Sequence, residues 1–331
     1  MTEPSALLYL SGSQVACLLD LPACIEAVER AFLLHAEGQA LPPRVFGLHA
    51  HGGGFHAKGA GLRLDRLYAA VKVNANFPDN PARHGLPTIQ GLLVLFDGEN
   101  GVPLAVLDSA EITALRTGAA TAVAARRLAR PDSHVATIVG CGVQGRIQLR
   151  ALAAVLPLSR AYAVDLDVGK AEALARDLAP QLHLDIATGL DVAAALAESD
   201  ICVTCTTSRT PVVRRSEVRP GTFLAAVGAD NEHKRELDPE LLAAATVVVD
   251  SLEQAAAIGE LHWALAEGAV PEGRTFAELA EVVAGRRPGR TTASEITIFD
   301  STGTALQDVA AAVVVLERAR AAGIGTVLGR A

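Results

Sequence analysis

Basic runs, long apolar stretches and aromatic side chains are all scarce in this chain, and each shortage removes a class of function. Its 29 Lys and Arg are outnumbered by 37 Asp and Glu, a formal charge of −8, and the cations never cluster. Nucleic acid and anionic membrane both require grouped cations, so neither is expected as a partner. No apolar run approaches the ~20 residues that span a bilayer, and the first residues lack the basic and apolar regions of a signal peptide. Five cysteines (Cys17, Cys24, Cys141, Cys202, Cys205) are an odd count in a chain too large to need staples. They read as reduced thiols of a cytoplasmic protein. Cys202 and Cys205 have redox or zinc spacing, yet they sit in an apolar strand with no second ligand pair, which favours buried structural cysteine. His49, His51 and His56 lack a Cys or carboxylate partner, and no metal is expected. Aromatics are 4 % of a chain that is half hydrophobic. Small and branched side chains fill buried parallel strands, so the expected class is α/β.

What is present is a change of texture along 331 residues, a length that suits about two domains. Asp20-Leu-Pro22 can cap a helix, and Ile25, Val28, Phe32 and Leu33 then recur at helical spacing until Gly38. Short β-rich runs follow at 44–49, 54–58, 67–76 and 88–96. Asp97-Gly98-Glu99-Asn100-Gly101 is a hairpin signal, answered by a strand at 103–108. Residues 109–128 form an alanine-rich helix. From His134 strands (135–139, 160–165, 200–204, 223–227, 247–249) alternate with helices, notably 144–156 and 169–178. That alternation predicts a Rossmann-type doubly wound parallel sheet. A last helix near 305–322 is expected to return to the first part. The expected division is a discontinuous α+β domain, 1–130 with 304–331, and a Rossmann domain, 131–303.

Residues 135–145 are a buried strand running into Gly140-Cys-Gly142-Val143-Gln144-Gly145 and then a helix. A G-x-G-x-x-G alone is weak; between strand and helix it is a dinucleotide loop. Gly140 permits the tight turn, Gly142 the close approach of a pyrophosphate, and Gly145 the packing of helix on strand. The second strand ends at Asp165, about 20 residues on, where a carboxylate binds ribose hydroxyls and repels a 2′-phosphate. NAD is therefore expected over NADP, with Asp167 as the competing acidic residue.

Further segments occur in order around this loop: Lys72-Val-Asn-Ala-Asn-Phe-Pro78, Thr113-Ala-Leu-Arg116-Thr-Gly-Ala-Ala-Thr121, Val227-Gly-Ala-Asp230 with Lys234 and Glu236-Leu237, and Phe299-Asp-Ser-Thr-Gly303. Together they resemble the ornithine cyclodeaminase/mu-crystallin family, which also contains archaeal-type alanine dehydrogenases and ketimine reductases. The resemblance implies a substrate domain that forms a homodimer, a Rossmann domain, and an active site in the cleft between them. Position by position, it implies that Arg44, Lys72 and Arg116 hold the substrate carboxylate. Asp230 would handle protons at the substrate nitrogen. Thr117, Val143, Gln144, Thr206, Lys234 and Ser301 would contact the cofactor, although N-capping of the last helix explains Ser301 equally well. One position departs from the family. His56 stands where the cyclodeaminases supply a glutamate for the distal amine of ornithine, and alternation sends His56 and Lys58 to one strand face.

The expected activity is NAD(H)-dependent oxidoreduction at the Cα–N bond of a small amino or imino acid, like an alanine dehydrogenase or a cyclic ketimine (pyrroline-2-carboxylate) reductase. Lys72 and Asp230 are the expected catalytic pair. An ornithine cyclodeaminase, returning the hydride for no net redox change, is the alternative. A non-catalytic ligand binder of the mu-crystallin kind is the alternative from another class.

Overall fold

The computed structural model describes residues 7–271 and 273–329. The chain divides into two compact units, Met1–Arg116 with Thr304–Ala331, and Thr117–Gly303. The sequence places the first boundary at 130, after the alanine-rich helix, whereas the division falls inside that helix, Ala110–Leu128. From Thr117 onward its small residues pack on the Rossmann layers: a Cβ added to Gly118 would lie 2.5 Å from Ile147 Cγ2.

The discontinuous unit begins with β1 (Leu7–Leu10) and the helix Leu21–Ala36, whose cap Asp20 accepts the Ala23 N–H at 2.8 Å. An antiparallel meander follows: β2 (Ala40–Ala50), β3 (Gly53–Arg63), β4 (Leu67–Asn76), β5 (Ile89–Asp97) and β6 (Pro103–Asp108). β2 runs through Pro42 and Pro43, which read as a break in the sequence. It is the edge strand, where a proline forfeits no ladder donor. β3 likewise runs on through Gly59 and Gly61, where the Leu41 side chain fills the space a Cβ on Gly61 would need.

In the second unit the strands are β7 (Val135–Val139), β8 (Arg160–Val164), β9 (Asp185–Ala187), β10 (Ile201–Thr204), β11 (Arg209–Val213), β12 (Phe223–Ala226), β13 (Arg235–Leu237), β14 (Thr246–Val249), β15 (Ala277–Glu278) and β16 (Thr297–Asp300). Among the described residues, eight of them form one parallel sheet in the order β15-β14-β16-β12-β10-β7-β8-β9. The order reverses at β7, so the crevice between the carboxyl ends of β7 and β10 is the topological switch point. β11 and β13 pair separately.

The chain returns to the first unit as the helix Ala305–Ala322 and β17 (Thr326–Leu328), which pairs with β1. Nearly every side chain of that helix from Ala305 to Leu316 is buried, against β3, β4 and the helix Leu21–Ala36. Cross-strand rows fix what it meets. Lys58, Lys72 and Leu93 form one row on the helix-covered face. The adjacent row, Arg44, Gly59, Val71 and Val94, points to the other face.

Candidate active site

In the discontinuous unit, Lys72 stands mid-strand on β4 and Arg116 one turn beyond Thr113 on the helix Ala110–Leu128. Both are buried. They converge on Asp308, which the returning helix carries inward. Lys72 Nζ lies 2.7 Å and Arg116 Nε 3.1 Å from the same oxygen, Asp308 Oδ1. Lys72 also donates to Thr113 Oγ1 (3.2 Å), and Arg116 Nη1 donates to Gln307 Oε1 (2.9 Å). Two cations thus share one carboxylate, and Asp308 Oδ2 and Gln307 Nε2 are buried without hydrogen-bond partners. The surplus positive charge falls on the group that can release it. Burial, with repulsion from Arg116 and Lys58, outweighs the pull of Asp308 and brings Lys72 down to about 7. Burial would raise Asp308, but its two cations prevail and hold it below the ordinary carboxylate range.

In the Rossmann unit the loop glycines differ in what surrounds them. Gly140 has φ +98°, a left-handed conformation that favours glycine. A Cβ on Gly145 would sit 2.1 Å from the Gly140 carbonyl oxygen, so helix and strand touch there. A Cβ on Gly142 would meet nothing within 4 Å. Gly142 also caps the helix Val143–Ala153 without any side-chain bond, leaving first-turn N–H groups to the open side. Gln144 adds a buried Oε1 without a partner. An open cradle, free N–H donors and a helix N-terminus fit a pyrophosphate. Asp165 directly follows β8 and accepts the Cys141 N–H at 2.7 Å and the Asp167 N–H at 2.9 Å, so it braces the glycine loop directly. Asp167 instead caps the next helix through the Gly169 N–H (3.0 Å), a structural duty that accounts for the competing acid.

Beyond β10, β12 and β16 lie the other expected contacts. Thr206 Cγ2 would be 3.2 Å from a Cβ on Gly140, which sets the β10 loop against the phosphate loop. Asp230 is exposed and ion-paired to Lys234 Nζ at 2.7 Å, with Asn231 Nδ2 donating to it at 3.0 Å. Ser301 does not cap the last helix. Thr304 occupies the N-cap position, and the buried Ser301 Oγ has no partner. Thr117 is buried in the second unit.

Two expected residues stand apart from the cation pair. Arg44 is exposed, donates to the Pro43 carbonyl oxygen at 3.3 Å, and occupies the row facing away from Lys72. His56 does share the Lys72 face, paired in register with Asn74 and half-buried. Asp308 and Gln307 escaped the sequence reading. The available signal was a carboxylate in the alanine- and valine-rich first half of the returning helix, the same kind of interruption that marked Arg116.

The chain matches the sequence profile of the ornithine cyclodeaminase/mu-crystallin family over residues 8–323. It is 40 % identical over 320 residues to the alanine dehydrogenase of Archaeoglobus fulgidus, covering 96 % of this chain and 97 % of that protein. An archaeal alanine dehydrogenase dimer with bound NAD superimposes with a TM-score of 0.93 at 39 % identity, covering 98 % of this chain and 99 % of that one. The Δ1-pyrroline-2-carboxylate reductase of Thermococcus litoralis, solved with NADH and L-proline, gives 0.92 at 37 % identity, covering 97 % and 100 %. The resemblance read from the motif segments is borne out along nearly the whole length: the chain belongs to the ornithine cyclodeaminase/mu-crystallin family.

Proposed function

We propose that this protein is an NAD(H)-dependent oxidoreductase interconverting a small amino acid and its imine at the Cα–N bond, as an alanine dehydrogenase or a cyclic ketimine reductase does. The observation that carries the reading is the buried Lys72–Asp308–Arg116 cluster, whose extra positive charge suits a substrate carboxylate. Substrate binding belongs to the discontinuous unit and NAD binding to the Rossmann unit. Gly140, Gly142, Val143, Gln144, Gly145 and Asp165 hold the adenosine and pyrophosphate, while Thr117, Thr206, Lys234 and Ser301 serve the remainder. Bound NAD supplies the hydride acceptor or donor for Cα. Lys72 and Arg116 fix the carboxylate and so orient Cα. Asp230, ion-paired with Lys234, accepts the nitrogen proton and, being exposed, passes it to water. Asp165 favours NAD over NADP.

Cyclodeamination of ornithine needs an acidic group for the distal ammonium. β2, β3 and β4 carry no Asp or Glu, and Asp308 already serves two cations. Net redox chemistry is therefore favoured over ring closure. The relative from archaea is a dimer, and we assign a homodimer here as well. The five cysteines are free thiols, which suits the cytoplasm, and no helix among the described residues is long and apolar enough to cross a membrane.

The test is a panel of 2-oxo acids with ammonia, cyclic imino acids and ornithine, followed by NADH absorbance and ammonia release. Net NADH oxidation with an oxo or imino acid is expected. Proline and ammonia from ornithine with unchanged NADH would reverse the choice of chemistry. No turnover of any compound, with ligand binding retained, would leave the carrier reading in its place.

A further inference from the structure

Glu236 belongs to the segment that marks the family, yet nothing in the proposed chemistry uses it. It sits on β13, fully buried, and its two oxygens reach two different loops. Oε1 accepts the Thr206 N–H at 2.5 Å, in the loop after β10. Oε2 accepts the Gly228 N–H and the Thr204 hydroxyl, each at 2.8 Å. Gly228 begins the loop that carries Asp230. Its missing side chain matters: a Cβ there would lie 2.5 Å from the Glu236 carboxyl carbon. The carboxylate therefore occupies the gap between the ends of two neighbouring parallel strands, β10 and β12.

Glu236 is itself held in place by a second buried carboxylate. Glu260 accepts the Glu236 N–H at 2.7 Å and the Leu237 N–H at 3.0 Å. The helix that begins at Glu260 is held in turn by Asp300 at the end of β16, which accepts the Glu260 and Leu261 N–H groups at 3.2 and 2.9 Å. Ser301 is the next residue. Three carboxylates in series thus tie together the loops after β10, β12 and β16. Burying three acids close to one another on N–H and O–H donors is costly, and simple packing of loops does not require it. Burial pushes the Glu236 carboxyl above its usual range despite those donors.

We propose that Glu236 is a positioning residue for the nicotinamide half of the dinucleotide: it sets the spacing between the Thr206 loop and the Asp230 loop, with Glu260 and Asp300 extending that spacing to Ser301. The inference rests on the reading that NAD binds at the glycine loop. Glutamine cannot replace Glu236. A backbone N–H points at each oxygen, so either orientation of the amide sets its NH2 against a donor.

The experiment is calorimetric titration of NADH and of ADP-ribose, which lacks the nicotinamide ring, into wild type, Glu236→Gln and Glu260→Gln. Loss of a charge-assisted clamp predicts NADH affinity lowered about tenfold or more, with ADP-ribose affinity within about twofold of wild type. Equal weakening of both ligands would assign Glu236 a purely structural role and overturn the proposal, as would unchanged NADH binding. Glu260→Gln is one bond removed from the loops and keeps the question answerable if Glu236→Gln does not fold; the same split is expected and the same outcomes overturn it. Wild type that binds neither ligand would instead overturn the NAD reading, and this inference with it.

Discussion

Lys72 owes its chemistry to having too much positive company. Asp308 neutralises one cation of the pair, and burial with repulsion from Arg116 leaves Lys72 near 7 rather than its ordinary 10.5. The sign follows from which form binds the anion. Protonated Lys72 attracts a carboxylate and neutral Lys72 does not, so carboxylate affinity should fall as pH rises through about 7. Stability moves the other way. Between the folded value and 10.5 the unfolded chain holds the extra proton, so the free protein should grow more stable with rising pH in that window. Lys72→Met should flatten both profiles and weaken the carboxylate by about 2–5 kcal/mol, as for a desolvated charge pair that loses one member. Asp308→Asn should shift the binding midpoint to lower pH, because Arg116 then faces Lys72 uncompensated. Titrating a carboxylate inhibitor across pH checks both, and a wild-type profile flat around neutrality would remove Lys72 from the site. Asp165 braces the glycine loop and is also the proposed reader of the ribose. Asp165→Ser should narrow the preference for NADH over NADPH, and it should also lower thermal stability, because the Cys141 and Asp167 N–H groups lose their acceptor. Equal wild-type affinity for the two cofactors would refute the assignment.

At the scale of elements, the glycine loop separates packing from ligand space. Gly145→Ala forces a Cβ onto the Gly140 carbonyl oxygen at 2.1 Å and should destabilise the protein by roughly 1–3 kcal/mol, even without cofactor. Gly142→Ala adds its methyl to open space at an ordinary φ of −75°, so the melting temperature of the free protein should hold while NADH affinity collapses. A Gly142→Ala variant that binds NADH normally would move the pyrophosphate elsewhere. This loop was legible because strand, glycine spacing and helix all agree locally. The parallel strands β7, β8, β10, β12 and β14 and both long alanine-rich helices were legible for the same reason, a sustained period. β1, β9, β11, β13, β15, β16 and β17 were not. They span two to five residues each and are held by partners distant in sequence. At the site, Lys72 and Arg116 stood out as charges in apolar settings. Arg44 lies in a row on the other face, a placement that depends on register, and the bulge between Leu41 and Arg44 cannot be read from the residues.

The whole molecule leaves one large feature of the discontinuous unit uncovered. Its sheet has a face buried by the helix Ala305–Ala322 and an opposite face where Phe46, Leu48, Phe55, Val71, Val73 and Leu92 stand exposed, Phe46 by 60 % and Leu48 by 55 %. Register makes this one surface: Phe46 aligns with Ala57, Val73 and Leu92 across four strands, and Leu48 aligns with Phe55 in the next row. Contiguous apolar rows of this kind are rare on monomers. In the homodimer proposed above the occupant would be a second copy, because an isologous pairing lets one apolar face cover its own twin. Such an interface would cover the β2 edge region and bury the row that holds Arg44, and the arginine's place outside the cation pair would then be an interfacial one. Sedimentation equilibrium of the wild type should give twice the chain mass, 34.3 kDa. Phe46→Glu combined with Leu48→Glu should give the single-chain mass, with helical content preserved, since neither side chain contributes to the unit's own core. A wild type that sediments as a monomer would sink the assignment, and so would a dimer indifferent to both glutamates, which would have to pair through another surface.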